Sequence, residues 1–331
     1  MRPNHEDLPD DERRDGLVCL VLLLGGLDEL LLAVPAIRAL RGALPRHRLV
    51  VASHPGVGRA AVEWGIADSW LPARAWHLPR MFAPDVAVNL TDGGPSSHQL
   101  LLGLRPRRLV AFENRSVRVA GPRWDLMQIG DRRLREHRRT RWCRLVAAGL
   151  DIEVDTRDGL LHLLSGHPSK QAAVIIHPGG RMGRRWAAER FTEVARDLHR
   201  DGVSVRIAGL PGEHETASMI AAAAGLSERE RWLPADVREL TIGVGDARLV
   251  IAGDTTIGHL AAAYAVPGVH VYRTVDADDD DASLIGTSAR ERGPLKVARR
   301  HRILTGEVSV AEMRAAVAEL IAVRAETVTS T

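Results

Sequence analysis

Three short stretches of this 331-residue chain combine residue types that could do chemistry. In Gly25-Gly26-Leu27-Asp28-Glu29, two adjacent carboxylates follow a glycine pair. Glycines let the backbone turn sharply, and carboxylates are favoured at a helix start. Asp28 is there either as a helix N-cap or, with Glu29, as a candidate general base. The second stretch is His177-Pro178-Gly179-Gly180-Arg181-Met182-Gly183-Arg184-Arg185-Trp186. Glycine amides beside guanidinium groups suit a phosphate, held by bidentate, charge-assisted hydrogen bonds. A solvated basic loop ending on Trp186 as a core anchor is the alternative. The third is Gly253-Asp254-Thr255-Thr256-Ile257-Gly258-His259, where small polar residues open a helix and free amides make an anion site. Asp254 as a plain cap and His259 as a core histidine are the alternatives. Neither glycine-rich loop is a Walker P-loop or a GxGxxG fingerprint, which disfavours generic ATPase and dehydrogenase chemistry.

The elements that must position these loops follow from hydrophobic periodicity. Residues 17–24 form an apolar run too short to span a membrane, of the kind a strand buried on both faces requires. A helix over 30–44, a strand at 49–53, a helix at 59–64 and strands at 68–71, 85–90 and 108–112 follow, closed by an Arg-rich helical stretch at 132–150. The polar segment 165–171, with Pro and Gly, reads as a linker. The pattern then restarts, with strands at 173–177, 203–209, 249–252 and 268–272 and helices at 187–200, 213–224, 237–243, 259–264 and 309–323. Such alternation predicts doubly wound α/β architecture. Two Rossmann-like domains are expected, 1–166 (with 1–15 a flexible tail) and 167–331, the last helix being free to pack back on the first domain. They should face a central cleft, with the three loops at the carboxyl ends of strands.

Composition narrows the function classes. Lys and Arg number 45 against 42 Asp and Glu, and all the basic residues except Lys170 and Lys296 are Arg. That bias points to a GC-rich genome rather than to a nucleic-acid partner. Arginine is densest between Arg105 and Arg144, but aromatics make up only 4% of the chain, so base-stacking platforms are disfavoured. The stretch reads as a surface for an anionic or membrane-proximal acceptor, or as a solvated face. Cys19 and Cys143 support neither a disulfide framework nor a thiolate metal site, which suits a reducing cytoplasm. The charged start is unlike a signal peptide, and no integral membrane association is expected. The acidic run at 278–281 reads as a solvated face rather than a metal site.

Taken together, the three loops resemble glycosyltransferase family 9, the lipopolysaccharide heptosyltransferases. LGGLDELLLAVPAIRAL at 24–40 is similar to the family's LGxLGDxxxxxPAxxxL. PGGRMGRRWAAERF at 178–191 is similar to PGxxxxxKRWPxExF, and AGDTTIGHLAAAYAVP at 252–267 to GxDSGxxHLAAAxxxP. The resemblance implies a GT-B fold and an inverting, metal-independent sugar transfer from a nucleotide-sugar donor, usually ADP-heptose, with no further cofactor. It implies that Glu29, or its neighbour Asp28, is the base and that Arg184 stands for the phosphate-binding Lys. Gly179, Gly180, Asp254, Thr255, Thr256 and His259 would hold the donor's diphosphate and sugar, and Glu213, in GLPGEHE, the nucleoside. Asn89, Asp92 and Gly93 fall where the family lines its acceptor pocket. Departures mark a divergent member with a changed acceptor: Asp28 and Thr256 stand where the family has glycines, Glu29 and Asn89 where it has Asp, and RTVDA at 273–277 where it has GPTDP. The expected acceptor is a small-molecule natural product or a glycolipid, and the Arg-rich composition, similar to that of soil actinobacteria without lipopolysaccharide, points toward the former. A non-catalytic nucleotide-sugar-binding homologue and a sugar-nucleotide epimerase are the alternatives.

Overall fold

The computed structural model describes residues 16–73, 78, 83–91, 94–114, 116–117, 125–129, 136–162, 172–180, 185–272 and 300–329. The chain divides into two compact units, residues 1–25, 36–132 and 142–154 forming one, and 26–35, 133–141 and 155–331 the other. The expected linker and the boundary at 166 lie outside the described residues.

The first sheet is built from β1 (Val18–Leu22), β2 (Arg48–Ser53), β3 (Ser69–Pro72), β4 (Val86–Asn89), β5 (Arg108–Phe112) and β6 (Asp125–Ile129). Its order is β3-β2-β1-β4-β5-β6, and every pairing is parallel. All five residues of β1, VCLVL, are buried, as a central parallel strand covered on both faces requires. The connecting helices are α1 (Leu27–Ala43), α2 (Pro55–Glu63), α3 (Pro95–Gly103) and α4 (Arg138–Leu150). Leu20, Leu22, Val50, Ala87, Leu101 and Leu109 join in one core cluster.

The second sheet repeats the plan. Its strands are β7 (Val174–His177), β8 (Val205–Ala208), β9 (Arg231–Trp232), β10 (Leu249–Ala252), β11 (Gly268–Tyr272) and β12 (His301–Thr305). Its order, β12-β11-β10-β7-β8-β9, is again all parallel. Helices α5 (Ala188–Arg200), α6 (His214–Ala223), α7 (Val237–Gly245), α8 (Thr256–Ala263) and α9 (Val310–Thr329) complete it. In α5, Phe191, Val194, Ala195 and Leu198 recur at helical spacing and are all buried, while Glu189 in its first turn and Arg200 in its last complement the helix dipole. Each large member of that stripe contributes about 1.5–3 kcal/mol by burial, so a charge at Val194 would undo the packing. Met313, Val317 and Leu320 of α9 belong to the same core, so through residue 322 the last helix packs on its own sheet.

Two expectations are corrected. Helix α1 begins at Leu27, so Asp28 lies within its first turn rather than before it. The Arg-rich stretch is no solvated face at its end, since Arg138, Arg139 and Arg141 are 1%, 5% and 3% exposed. Periodicity did not reveal α3, β6, β9 or β12. The reasons are local: β9 has two residues, and β12, an edge strand, leaves its central residues half-exposed and so has no continuous apolar run.

Candidate functional site

Both sheets have the strand order of a dinucleotide-binding fold, and both reverse direction once: between β1 and β4 in the first, between β7 and β10 in the second. Connections on either side of such a reversal leave in opposite directions and open a crevice beyond the strand ends. Register brings those ends level, Leu22 with Asn89 and Ala252 with His177. The loops after β1, β4, β7 and β10 carry nearly all the residues singled out by type. Glu213 opens α6 after β8.

In the second unit the loops meet. Gly253 lies where a Cβ would come 3.3 Å from the carbonyl oxygen of Gly179. Gly180, at φ +134°, holds a backbone conformation open to glycine, and a Cβ there would sit 3.8 Å from both the Asp254 oxygen and Thr255 Cγ2. Thr255 caps α8, its hydroxyl accepting from the Gly258 amide at 3.5 Å. The cap of α8 is therefore Thr255, and Asp254 stands clear of that role. Asp254 Oδ1 lies 3.9 Å from His259 Nε2, a nitrogen that makes no hydrogen bond among the described residues although its ring is buried. This is no satisfied core histidine. Thr256 is the first residue of α8, half-exposed at its amino end.

Glu213 is fixed from two sides. His177 Nε2 donates to its Oε2 at 2.7 Å, and the Leu210 amide donates to the same oxygen at 3.1 Å. Burial pushes the carboxyl up, but the hydrogen bond and charge of His177, the Leu210 amide and the nearby Arg185 outweigh it and hold Glu213 below the usual carboxylate range. Gly179 is required by this packing, because a Cβ there would collide with Glu213 Oε1 and the His177 ring. His177, 1% exposed, is thus a part of the site that its residue type alone did not announce. The only signal was its place directly before Pro178-Gly179-Gly180.

The loops of the first sheet behave differently. Glu29, in the first turn of α1, forms an ion pair with Arg138, the first residue of α4. Arg138 is 1% exposed, so the pair fixes the carboxylate's direction. Asp28 folds back over Gly26, with Oδ1 2.7 Å from where a Cβ would stand. Asn89, 1% exposed, spends its amide inside the loop that follows β4. Its Nδ2 donates to Ser97 Oγ at 2.9 Å and faces His98 Nδ1 at 3.4 Å, and its Oδ1 accepts from the Thr91 hydroxyl at 2.6 Å. It shapes the loop from within and offers no group to a ligand directly. Arg184, Asp92, Gly93 and the segment 273–281 lie outside the described residues.

Behind α8 lies a buried histidine pair. His270 Nε2 and His301 Nδ1 are 3.0 Å apart, with stacked rings. Burial holds His301 down to about 4, helped by Arg300, and holds His270 well below the ordinary imidazole value. Both rings are therefore neutral at pH 7, one donating to the other. A cavity of about 750 Å³, lined by Ser204, Arg206, Trp232, Glu239 and Asp246 among others, opens at the amino ends of β7 and β8, away from these loops. No helix among the described residues is long and apolar enough to cross a membrane.

Comparison with known proteins agrees with this geometry. Residues 144–280 match the family described as glycosyltransferase family 9 (heptosyltransferase). Curated proteins gave no match. The solved E. coli ADP-heptose lps heptosyltransferase II is similar in fold, with TM-score 0.71 and 15% identity over 93% of this chain and 99% of that one. The family 9 glycosyl transferase of Veillonella parvula gives TM-score 0.70 at 14% identity, covering 92% and 97%. E. coli heptosyltransferase WaaC with ADP gives 0.64 at 16%, covering 92% and 100%. A match to family 9 across the loops after β7 and β10, together with the α/β fold shared with solved heptosyltransferases over more than nine-tenths of the chain, makes this chain similar to the heptosyltransferase-like glycosyltransferases.

Proposed function

We propose that this chain transfers a heptose from an ADP-activated donor to an acceptor hydroxyl, with inversion and without a metal, the acceptor being a small-molecule natural product. The convergence of Gly179, Gly180, Asp254, Thr255 and Glu213 at the carboxyl ends of β7 and β10 carries the reading. Amides around Gly179 and Gly180 and the amino end of α8 favour the two phosphates, and Arg184 adds a guanidinium by motif. Glu213, kept ionised, is a hydrogen-bond acceptor suited to ribose hydroxyls. The nucleotide and the sugar are drawn from relatives: WaaC is solved with ADP, and the second E. coli match is an ADP-heptose enzyme.

In this reading the acceptor oxygen attacks the anomeric carbon as the bond to the diphosphate oxygen breaks on the opposite face. Glu29, grouped in the same compact unit as the donor loops, takes the proton. Negative charge developing on the leaving diphosphate is met by preorganised amides and cations, the largest single contribution in such transfers. His259 organises the Asp254 loop and moves no proton. Asn89 supports the acceptor loop from beneath, with Asp92 and Gly93 assigned to it by motif.

The test is calorimetric titration of ADP, UDP, GDP and dTDP, followed by acceptor screening with the nucleotide that binds. Selective ADP binding that weakens in Arg184→Ala supports the donor assignment, and preference for another nucleotide overturns it. Glu29→Gln should lower turnover by about 10²–10⁴-fold and leave ADP affinity unchanged. The ion pair with Arg138 favours one second reading, a nucleotide-binding homologue whose carboxylate is held as a structural partner. That reading requires ADP binding with no turnover on any acceptor.

A further inference from the structure

The residue after the motif's Arg184 is placed by the fold with more definition than its sequence context suggests. Arg185 Nε donates to the Gly180 carbonyl at 2.5 Å, so its stem is tied to the glycine loop. A Cβ on Gly180 would sit 3.7 Å from Arg185 Cγ, and the same point is 3.8 Å from the Asp254 oxygen and Thr255 Cγ2. Arg185 thus flanks the place where the loops after β7 and β10 meet. The chain beyond it is anchored. Trp186 Nε1 donates to the Val308 carbonyl at 2.8 Å, its ring meets Phe191 edge-on at 4.8 Å, and Arg190 donates to the same carbonyl at 2.8 Å. The guanidinium is exposed, and among the described residues its two terminal nitrogens make no hydrogen bond. Its charge reaches Glu213, yet it closes no ion pair with that carboxylate within 4 Å among the described residues. A cation on a fixed stem, next to an anion-binding loop and with its fork open to solvent, is a preorganised phosphate ligand.

We propose that Arg185 binds the donor's α-phosphate, the one next to the nucleoside, through the terminal nitrogens of a guanidinium oriented by Gly180. The assignment rests on the donor reading above, which puts the nucleoside at Glu213: Glu213 packs against Gly179, and Arg185 packs against the adjoining Gly180. An arginine on the α-phosphate contacts nucleoside mono- and diphosphate alike. It therefore sets how tightly both donor and spent nucleotide are held, rather than acting on the leaving bond alone.

The test uses the full-length chain and its Arg185→Gln and Arg185→Lys variants, with ADP and AMP affinities read by competition against a fluorescent ADP analogue. Arg185→Gln is expected to weaken both nucleotides by the same factor, about 10- to 100-fold. Arg185→Lys should fall between, since an ammonium restores charge but neither the fork nor the tie to Gly180. Matching melting temperatures confirm that the loop change did not unfold the unit. If AMP binds Arg185→Gln as it binds the unmodified chain, the α-phosphate assignment is overturned, whether or not ADP weakens. Failure of the unmodified chain to bind ADP overturns the donor reading, and with it this one, so the two failures are told apart by the first titration.

Discussion

Replacing Gly179 by Ala adds one methyl group at the point where the loop after β7 passes the His177–Glu213 pair. Built on the existing backbone, that methyl would stand 2.6 and 2.7 Å from His177 Cε1 and Nε2 and would overlap Glu213 Oε1. The imidazole cannot retreat, since His177 ends a central strand and is 1% exposed. Glu213 is the far end of a movable side chain, but moving it breaks the bonds its Oε2 accepts from His177 and from the Leu210 amide. Hydrogen bonds to a charged group make a net contribution of about 1.5–3 kcal/mol each, so losing the His177 contact and straining the amide contact comes to roughly 2–4 kcal/mol. In a unit of this size that lowers the melting temperature by about 5–10 °C. In the proposed reading Glu213 takes the ribose, so the same displacement is expected to lower ADP affinity together with stability. Scanning calorimetry with and without ADP reads both. Gly42→Ala is the control, because nothing lies within 4 Å of a Cβ at that helical position. Its expected effect is neutral to stabilising by up to about 1 kcal/mol. Glu213→Ala separates clash from backbone strain: in that background Gly179→Ala should do less harm than alone, since one of its obstacles is gone. Additive penalties, or a Gly179→Ala protein that melts and binds ADP like its parent, would refute the reasoning.

Two further outcomes follow from buried polar groups. His301 titrates at about 4 in the fold, against about 6.5 in the unfolded chain. The unfolded state therefore takes up a proton that the folded state refuses, and stability falls as pH drops from about 6.5 to 4, by on the order of 3 kcal/mol for this group. Urea unfolding at pH 7 and pH 4.5 should show this acid loss reduced in His301→Leu, and an unchanged loss would count against the assignment. Asn89→Asp keeps the oxygen that Thr91 uses but deletes the donor to Ser97 and His98, leaving a buried carboxylate facing their acceptors. The expected cost is about 2 kcal/mol or more, read by chemical denaturation. A neutral result would mean that the Ser97 hydroxyl can turn to donate.

Much of the fold was legible because both sheets are parallel and buried, which forces unbroken apolar runs such as VCLVL and LVIA that any periodicity reading detects. The loops after β7 and β10 were legible for a related reason. Glycines, a Thr cap and a Gly-Asp step are backbone requirements written in residue type. What escaped notice were partners distant in sequence. Nothing about Arg138, one of many arginines in its stretch, says that it meets Glu29 more than a hundred positions earlier. His177 looked like the end of a strand until Glu213 was placed against it. The resemblance put Asn89 at an acceptor pocket, and nothing in the sequence announced that its amide meets Ser97 and His98 on the next helix.

The most conspicuous departure from the family motif, Thr256 for glycine, can be weighed on the same backbone terms. A glycine is indispensable where φ is positive or where another chain segment occupies the space of its side chain. Position 256 meets neither condition. Thr256 is absent from the positive-φ residues, and it is the first helical residue of α8, half-exposed at the helix's open end. The cap belongs to Thr255, which leaves the amino-terminal amides of α8 available to an anion, as a glycine at 256 would. The positions that do require glycine, 179 by close approach and 180 by conformation, are both still glycine. A loop kept intact where its geometry depends on glycine, and varied where it does not, is what selection for binding leaves behind, and it favours the proposed transferase over a degenerate homologue. Thr256→Gly is accordingly expected to change ADP affinity by less than about threefold. A large gain in affinity on that substitution would mean that the threonine side chain crowds the diphosphate after all.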